Sequence, residues 1–336
     1  KIIADFMKKN GGIITEKDLA KYQAQELKPV LGTYRGYEVI GMPPPSSGGI
    51  AVIEMLNILE GYNLGEMGHN SSASLHVITE AMRRAFADRA EFIGDADFNP
   101  DLPLEKLLSK EHASNLRANI DLTKASLSDS AHFNAKHLIP ESPETTHISI
   151  VDNEGNAVSL TYTIENSYGN KIVVDGAGFL LNNEMGDFNP IPGYTNSKGL
   201  IGTKPNLVQP EKRMLSSMTP VIVAKNGKPV IVIGSPGGRT IINTVLQVIL
   251  NVVDFDMNIA QAIEAPRIHH QWFPNKTSFE RHGISSDTQK LYEALGHDIY
   301  FRNMQGQAMG ITIDHKSKKI YGAADSRSFD ARAVGY

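Results

Sequence analysis

The sequence predicts an α+β fold of layered type, with antiparallel sheets covered by helices. Three observations carry that prediction. Over roughly the first 140 residues apolar side chains recur at helical spacing, and from about residue 145 the period drops to two. Hairpin turns then follow one another, and further helical segments return after them. Hairpins in series followed by helices suit a sheet with helices packed on it better than alternating βαβ units.

Taken in order, Ile2, Ile3, Phe6 and Met7 share a helical face, and Asn10-Gly11-Gly12 stops it. No capping residue precedes this helix and the first residue is Lys rather than Met. We therefore expect a chain cut from something longer, in which the absence of a signal peptide says nothing about export. Residues 34–40 read as one short strand. It leads into Met42-Pro43-Pro44-Pro45-Ser46-Ser47-Gly48-Gly49, where the prolines fix an extended path and the small residues release the chain into a helix. This run is either a stiff connector or the wall of a pocket. Helices are expected over 50–59 and 73–92, and residues 129–144, rich in Ser, Asn, His and Pro, form a linker.

Beyond the linker, residues 147–152 alternate, Asn153-Glu154-Gly155-Asn156 turns, and 157–163 return as the second strand of a hairpin. Two more hairpins centre on Asn226-Gly227 and on 315–318, and helices are expected over 240–253, 259–265 and 288–295. No apolar run reaches the ~20 residues that cross a bilayer, since 220–235 is interrupted by Lys225-Asn226-Gly227-Lys228.

Composition narrows the chemistry. The 336 residues hold 33 Lys and Arg against 37 Asp and Glu, with 41% hydrophobic residues, enough for a sizeable core without staples. A formal charge of −4 offers no field for a polyanion, which argues against nucleic-acid binding. The sequence has no cysteine, which removes disulfides, thiolate nucleophiles, Cys-ligated zinc and iron–sulfur clusters. The candidate nucleophiles are Ser, Thr, Asp and Lys.

Neither the Gly-x-Ser-x-Gly elbow nor the His-Glu-x-x-His zinc signature occurs. His269 and His270 are neighbours that point to opposite faces of an extended chain, so a structural role is expected for them. The run from Gly234 to Gly238 lacks the Gly-Lys-Ser/Thr of a phosphate loop. It does lie between a strand and a helix, where backbone N–H groups can face an anion or an oxyanion. At Pro143-Glu144-Thr145-Thr146-His147 the linker ends and a strand begins. Thr145 is either an ordinary strand-entry residue or a nucleophile in need of a base. If the preceding peptide bond were cut, its own α-amine, with a reference pKa of about 7.7–8.0, would supply that base.

An ordered set of motifs then carries a resemblance. Thr145-Thr146-His147, Leu181-Asn182-Asn183-Glu184-Met185, Lys212-Arg213-Met214-Leu215-Ser216-Ser217-Met218 and Gly234-Ser235-Pro236-Gly237-Gly238 occur in sequence. They are followed by Ala265-Pro266-Arg267-Ile268-His269-His270-Gln271-Trp272 and by residues 322–327, and preceded by Gly11-Gly12-Ile13-Ile14-Thr15, the triple-proline run and Ala87-Asp88-Arg89. Together they closely resemble the γ-glutamyltransferase family of N-terminal-nucleophile hydrolases, over essentially the whole chain.

The resemblance implies an αββα sandwich and a precursor that cuts itself between Glu144 and Thr145. Residues 1–144 would be the mainly helical C-terminal part of a large subunit, and 145–336 a small catalytic subunit. Thr145 would be the nucleophile, Thr163 would hold it, and Gly237 and Gly238 would donate backbone N–H groups to the oxyanion. Glu165, Glu184 and Asp187 match positions that take the α-ammonium of a glutamyl donor, and Ser216 and Ser217 match the pair that binds its α-carboxylate. Three carboxylates around one ammonium are physically reasonable, because the ligand's charge offsets their repulsion.

The implied donors are glutathione and related γ-glutamyl compounds, and the acceptors are water, amino acids or peptides. The partner is the chain's own other subunit, and the location is periplasmic or secreted. No organic cofactor and no metal are called for.

Several departures from the family pattern stand out. The family's carboxylate-clamping Arg belongs to a region absent here, Glu144 stands where some relatives have Gln or Asn, and Met214 replaces a Pro. Within a lid-like segment over 191–208, Lys198 stands where several bacterial relatives carry a Tyr. Competing expectations are a related acylase, of the cephalosporin or poly-γ-glutamate type, and a catalytically dead glutamate-binding fragment.

Overall fold

The computed structural model describes residues 1–128, 144–189, 191–193 and 202–336. Apart from Glu144, the expected linker lies outside the described residues, as do Lys198 and the middle of the expected lid. Helices α1 (Ile2–Lys9) and α2 (Glu16–Lys21) come first and bury no side chain. Strands β1 (Val30–Tyr34) and β2 (Tyr37–Gly41) follow, then α3 (Gly48–Leu59), α4 (Leu64–Met67), α5 (Ser72–Phe92), α6 (Leu104–Leu108) and α7 (Lys110–Ala118). Next come β3 (Thr146–Val151), β4 (Ala157–Tyr162), β5 (Val221–Lys225), β6 (Lys228–Gly234), α8 (Thr240–Val253) and α9 (Ile259–Glu264). The chain closes with β7 (Ile268–His269), β8 (Thr277–Glu280), α10 (Ser286–Ala294), β9 (Ile299–Arg302), β10 (Met309–Asp314) and β11 (Lys319–Ala324).

Local chemistry accounts for many of the boundaries. Ser71 caps α5 by accepting from Ser74 N at 3.1 Å, and Asn258 and Gln261 form a capping box on α9. In the β3–β4 turn Asp152 Oδ1 accepts from the backbone N–H of Glu154 and of Asn156. The single strand expected over 34–40 is instead a hairpin. Arg35 and Gly36 both take positive φ, the geometry of a type I′ turn, and reverse the chain between β1 and β2.

A six-stranded sheet runs β1-β2-β5-β6-β10-β11, so strands from before and after Thr145 share one sheet. Every residue of α3 is buried, and α3, α8 and α9 pack on this sheet with α5 behind α3. Gly48 and Gly49 allow that approach: a Cβ on Gly48 would lie 2.2 Å from Thr219 Oγ1, and one on Gly49 2.4 Å from the Met42 carbonyl oxygen. The β3–β4 hairpin lies against the same large sheet. Ser149 Oγ donates to the carbonyls of Val232 and Met309, and Ser159 Oγ to that of Ile233.

Three of the expected four layers are thus present among the described residues, helices, sheet and hairpin. The outward side of the hairpin carries exposed Ile148, Ile150, Val158 and Leu160. A third sheet, β7-β8-β9, was not anticipated. Its β8–β9 pair is parallel and joined through α10, a short crossover inside an otherwise antiparallel pattern.

Candidate active site

The hairpin register sets the centre of the site. Thr146 pairs with Tyr162, which brings the residues beyond them, Thr145 and Thr163, to the same end of the hairpin. Both hydroxyls donate to one acceptor, the Glu144 carbonyl oxygen, at 2.7 Å from Thr145 Oγ1 and 3.1 Å from Thr163 Oγ1. Thr163 Oγ1 in turn accepts from Glu165 N at 2.9 Å, so its proton is aimed at that carbonyl. The two donors polarise a carbonyl that lies one bond from the Thr145 backbone nitrogen, and such polarisation assists an acyl shift at that bond.

Below Thr145, His147 is buried between Thr161 Oγ1 at 2.9 Å and Ser149 Oγ at 3.1 Å. Burial pushes its pKa down to about 4, so the ring stays neutral. It lies so close to Gly234 that a Cβ there would be 2.1 Å from the ring. This seating of the hairpin on β6 has no signature in the sequence beyond an alternating polar face.

Glu165, Glu184 and Asp187 do converge. One oxygen from each lies within 4.8 Å of the others, a cluster that suits an ammonium or another cation. Glu165 holds a left-handed backbone, φ 74°, and the loop around it is tied to the next by Asn166 N donating to Asn183 Oδ1 at 3.0 Å. Burial, and then the charge of Asp187, push Glu184 up to about 7. Its Oε1 is buried without a hydrogen-bond partner among the described residues.

Ser216 and Ser217 sit one bridge away. Asn206 joins the two regions, donating from Nδ2 to the Asp187 carbonyl at 2.7 Å and accepting Leu215 N at Oδ1. The triple-proline run forms the other side. Ser47 donates from N and from Oγ to the Ser216 carbonyl at 2.9 and 2.8 Å, Ser216 N donates to the Pro45 carbonyl, and Ser46 Oγ donates to the Met218 carbonyl. These bonds fix that run against the serine pair.

Gly237 and Gly238 follow β6 and turn the chain into α8. Both take positive φ, 137° and 57°, and a Cβ on Gly237 would lie 2.6 Å from Thr240 Oγ1. Their carbonyls accept the first N–H groups of α8, while their own N–H groups meet no backbone acceptor among the described residues. A cavity of about 660 Å³ has Thr145, Pro236 and Arg327 in its wall. His269 and His270 are both buried away from it, His269 between Asn243 and Gln271, and burial lowers the pKa of each. Besides the acidic trio, the pairings His76–Glu80–His297 and Glu54–Asp88–His112 have the spacing of metal ligands.

The fold is that of the N-terminal-nucleophile hydrolase class. Residues 1–335 match the family described as Gamma-glutamyltranspeptidase. Over 335 residues the chain is 46% identical to the glutathione hydrolase proenzyme of Escherichia coli K12, covering 99% of this chain and 57% of that protein. A solved chain of the Helicobacter pylori gamma-glutamyltranspeptidase T380A mutant is 48% identical with a TM-score of 0.53, covering 55% of this chain and all of that one. A cephalosporin acylase from Bacillus halodurans aligns at a TM-score of 0.82 with 26% identity, over 97% of this chain and 56% of its own. The chain belongs to the gamma-glutamyltranspeptidase family. It spans a little over half the length of the curated relatives it matches.

Proposed function

We propose that the protein is a γ-glutamyltransferase and glutathione hydrolase that first cuts its own chain between Glu144 and Thr145. The observation that carries this reading is the Glu144 carbonyl held by the Thr145 and Thr163 hydroxyls together. Attack of Thr145 Oγ1 on that carbonyl carbon transfers the acyl group from nitrogen to oxygen. The amide C–N bond breaks and the nitrogen takes the hydroxyl proton. Water then hydrolyses the ester, leaving a Glu144 carboxylate and a free Thr145 amine.

That amine becomes the base for turnover. It takes the Oγ1 proton as the hydroxyl attacks the γ-carbonyl of a donor, and the amine of the donor leaves with the proton. The γ-glutamyl ester on Thr145 passes to water or to an amino acid or peptide. Gly237 and Gly238 N–H groups would bear the oxyanion, each worth roughly 3–4 kcal/mol. Glu165, Glu184 and Asp187 would take the donor's α-ammonium, and Ser216 and Ser217 its α-carboxylate.

Residues 1–144 and 145–336 would be the two subunits of the resulting heterodimer. The solved Helicobacter pylori chain, taken whole, covers 55% of this chain, a fraction near that which 145–336 makes up. Among the described residues no helix is long and apolar enough to cross a membrane; the location we infer, periplasmic or secreted, rests on the family. The acylase likeness supports a second reading, but an acidic trio suits a donor with a free ammonium better than an unsubstituted diacid chain.

Intact-mass measurement of the full-length protein should resolve two chains, the smaller beginning Thr-Thr-His-Ile. Thr145→Ala should remain one chain without turnover of γ-glutamyl-p-nitroanilide. An uncut wild type that turns over would sink the mechanism, and a cut wild type that releases no nitroaniline with any acceptor would favour the binding fragment.

A further inference from the structure

Arg89 stands in the last turns of α5 and is only 8% exposed. Its side chain reaches the corner where the triple-proline run meets the serine pair. Nε donates to Ser47 Oγ at 2.8 Å and Nη2 to Ser217 Oγ at 3.0 Å. A serine hydroxyl that accepts from a guanidinium must send its single proton elsewhere. Ser47 sends its proton to the Ser216 carbonyl. For Ser217, no acceptor takes that proton among the described residues, and the side chain is half-exposed.

We propose that Arg89 is a positioning residue for the donor's α-carboxylate, acting through Ser217; the inference rests on the γ-glutamyl reading above. Binding the Ser217 oxygen from behind leaves its O–H as an oriented donor, and the cationic partner polarises that hydroxyl toward an anion. Through Ser47, the same guanidinium fixes the Ser216 backbone, so both serines are set by one buried cation. The ligand class is an amino-acid head group with a free α-carboxylate, which is also the group that a 4-aminobutanoyl donor lacks.

The test uses full-length protein with Arg89→Gln, Arg89→Lys and Ser217→Ala, each assayed with γ-glutamyl-p-nitroanilide and 4-aminobutanoyl-p-nitroanilide. For Arg89→Gln we expect KM for the γ-glutamyl donor to rise by about tenfold or more, the scale of a hydrogen bond to a charged group. Its kcat should stay within about threefold, kcat/KM for the carboxylate-free donor should be unchanged, and Arg89→Lys should recover part of the loss. Self-cleavage, in which no free α-carboxylate takes part, should go to completion in both Arg89 variants. In the Ser217→Ala background, either Arg89 change should raise KM by less than it does in the wild type.

An equal loss on both donors, a fall in kcat at constant KM, or full additivity with Ser217→Ala would overturn the proposal. If Arg89→Gln does not fold, the Arg89→Lys cycle with Ser217→Ala decides by the same criteria. A wild type inactive on every γ-glutamyl compound would instead overturn the functional reading itself.

Discussion

On the proposed reading, a proton and a donor's ammonium would compete for the Glu184 carboxylate. Burial and the Asp187 charge push its pKa up to about 7, and a cation beside it favours the ionised form. Donor binding would therefore expel a proton below about pH 7 and weaken as the pH falls. KM for γ-glutamyl-p-nitroanilide should rise as pH is lowered from about 7.5 to about 5.5, and Glu184→Gln should flatten that rise. A kcat limb near the Thr145 amine's pKa should survive the substitution, since it belongs to a different group.

Family motifs made Glu184, Asp187 and Ser217 legible in the sequence; without them the two acids read as a solvated loop edge. Asn206 and His147 were not legible. Their parts depend on partners 19 and 14 residues away through folded loops, which no local pattern records.

Helix α3 shows what is hidden at the scale of an element. Its apolar periodicity was plain, but Glu54 within it is fully buried, and both its oxygens lack an ordinary donor among the described residues. Burial raises its pKa well above 4.5, with the adjacent Asp88 carboxylate adding to the effect, while Asp88 itself bonds His112 Nε2 at 2.6 Å. A protonated Glu54 donating to Asp88 would give one of its two oxygens a partner and remove the like-charge contact. Because the folded pKa is the higher one, the stability linked to this proton is complete below about 4.5 and is lost as pH rises toward the folded value. Glu54→Gln keeps the shape without the proton. Chemical denaturation should therefore show the variant gaining on wild type as pH is raised from about 4 to about 7, and a gap independent of pH would refute the bridge.

Turn chemistry explains which elements could be anticipated. Asn226-Gly227 signals its hairpin openly, whereas Arg35-Gly36 hides one behind a residue seldom placed at positive φ. The parallel β8–β9 pair depends on α10 folding back, a tertiary event.

For the whole molecule, the cut expected before Thr145 would not separate two bodies. Strands β1 and β2 lie beside β5, and α3 packs on α8, so one core spans both segments. The far end of the chain is fastened to the same core by charge. Asp325 accepts from Arg267 Nη2 at 2.6 Å and Arg327 Nη1 at 3.0 Å, and Glu280 takes Arg327 Nη2 at 2.6 Å, almost all of it buried. Removing one partner leaves buried cations uncompensated, at a cost of about 3–5 kcal/mol. Asp325→Asn should lower the denaturation midpoint accordingly; a change under about 1 kcal/mol would mean that the network is already compensated elsewhere.

The two hydroxyls on the Glu144 carbonyl come from residues 18 positions apart in the chain, and they meet only after β4 has returned beside β3. That return is secured by Ser149, Ser159 and His147 keyed to the large sheet, which itself needs β6 and β10 in place. On the proposed reading, the chain thus inspects its own assembly before it commits to cutting. An unfinished molecule keeps its peptide bond and, with it, a blocked amine, so it stays inert rather than half-active. Such a cut would be irreversible, and so a permanent mark borne only by molecules that passed.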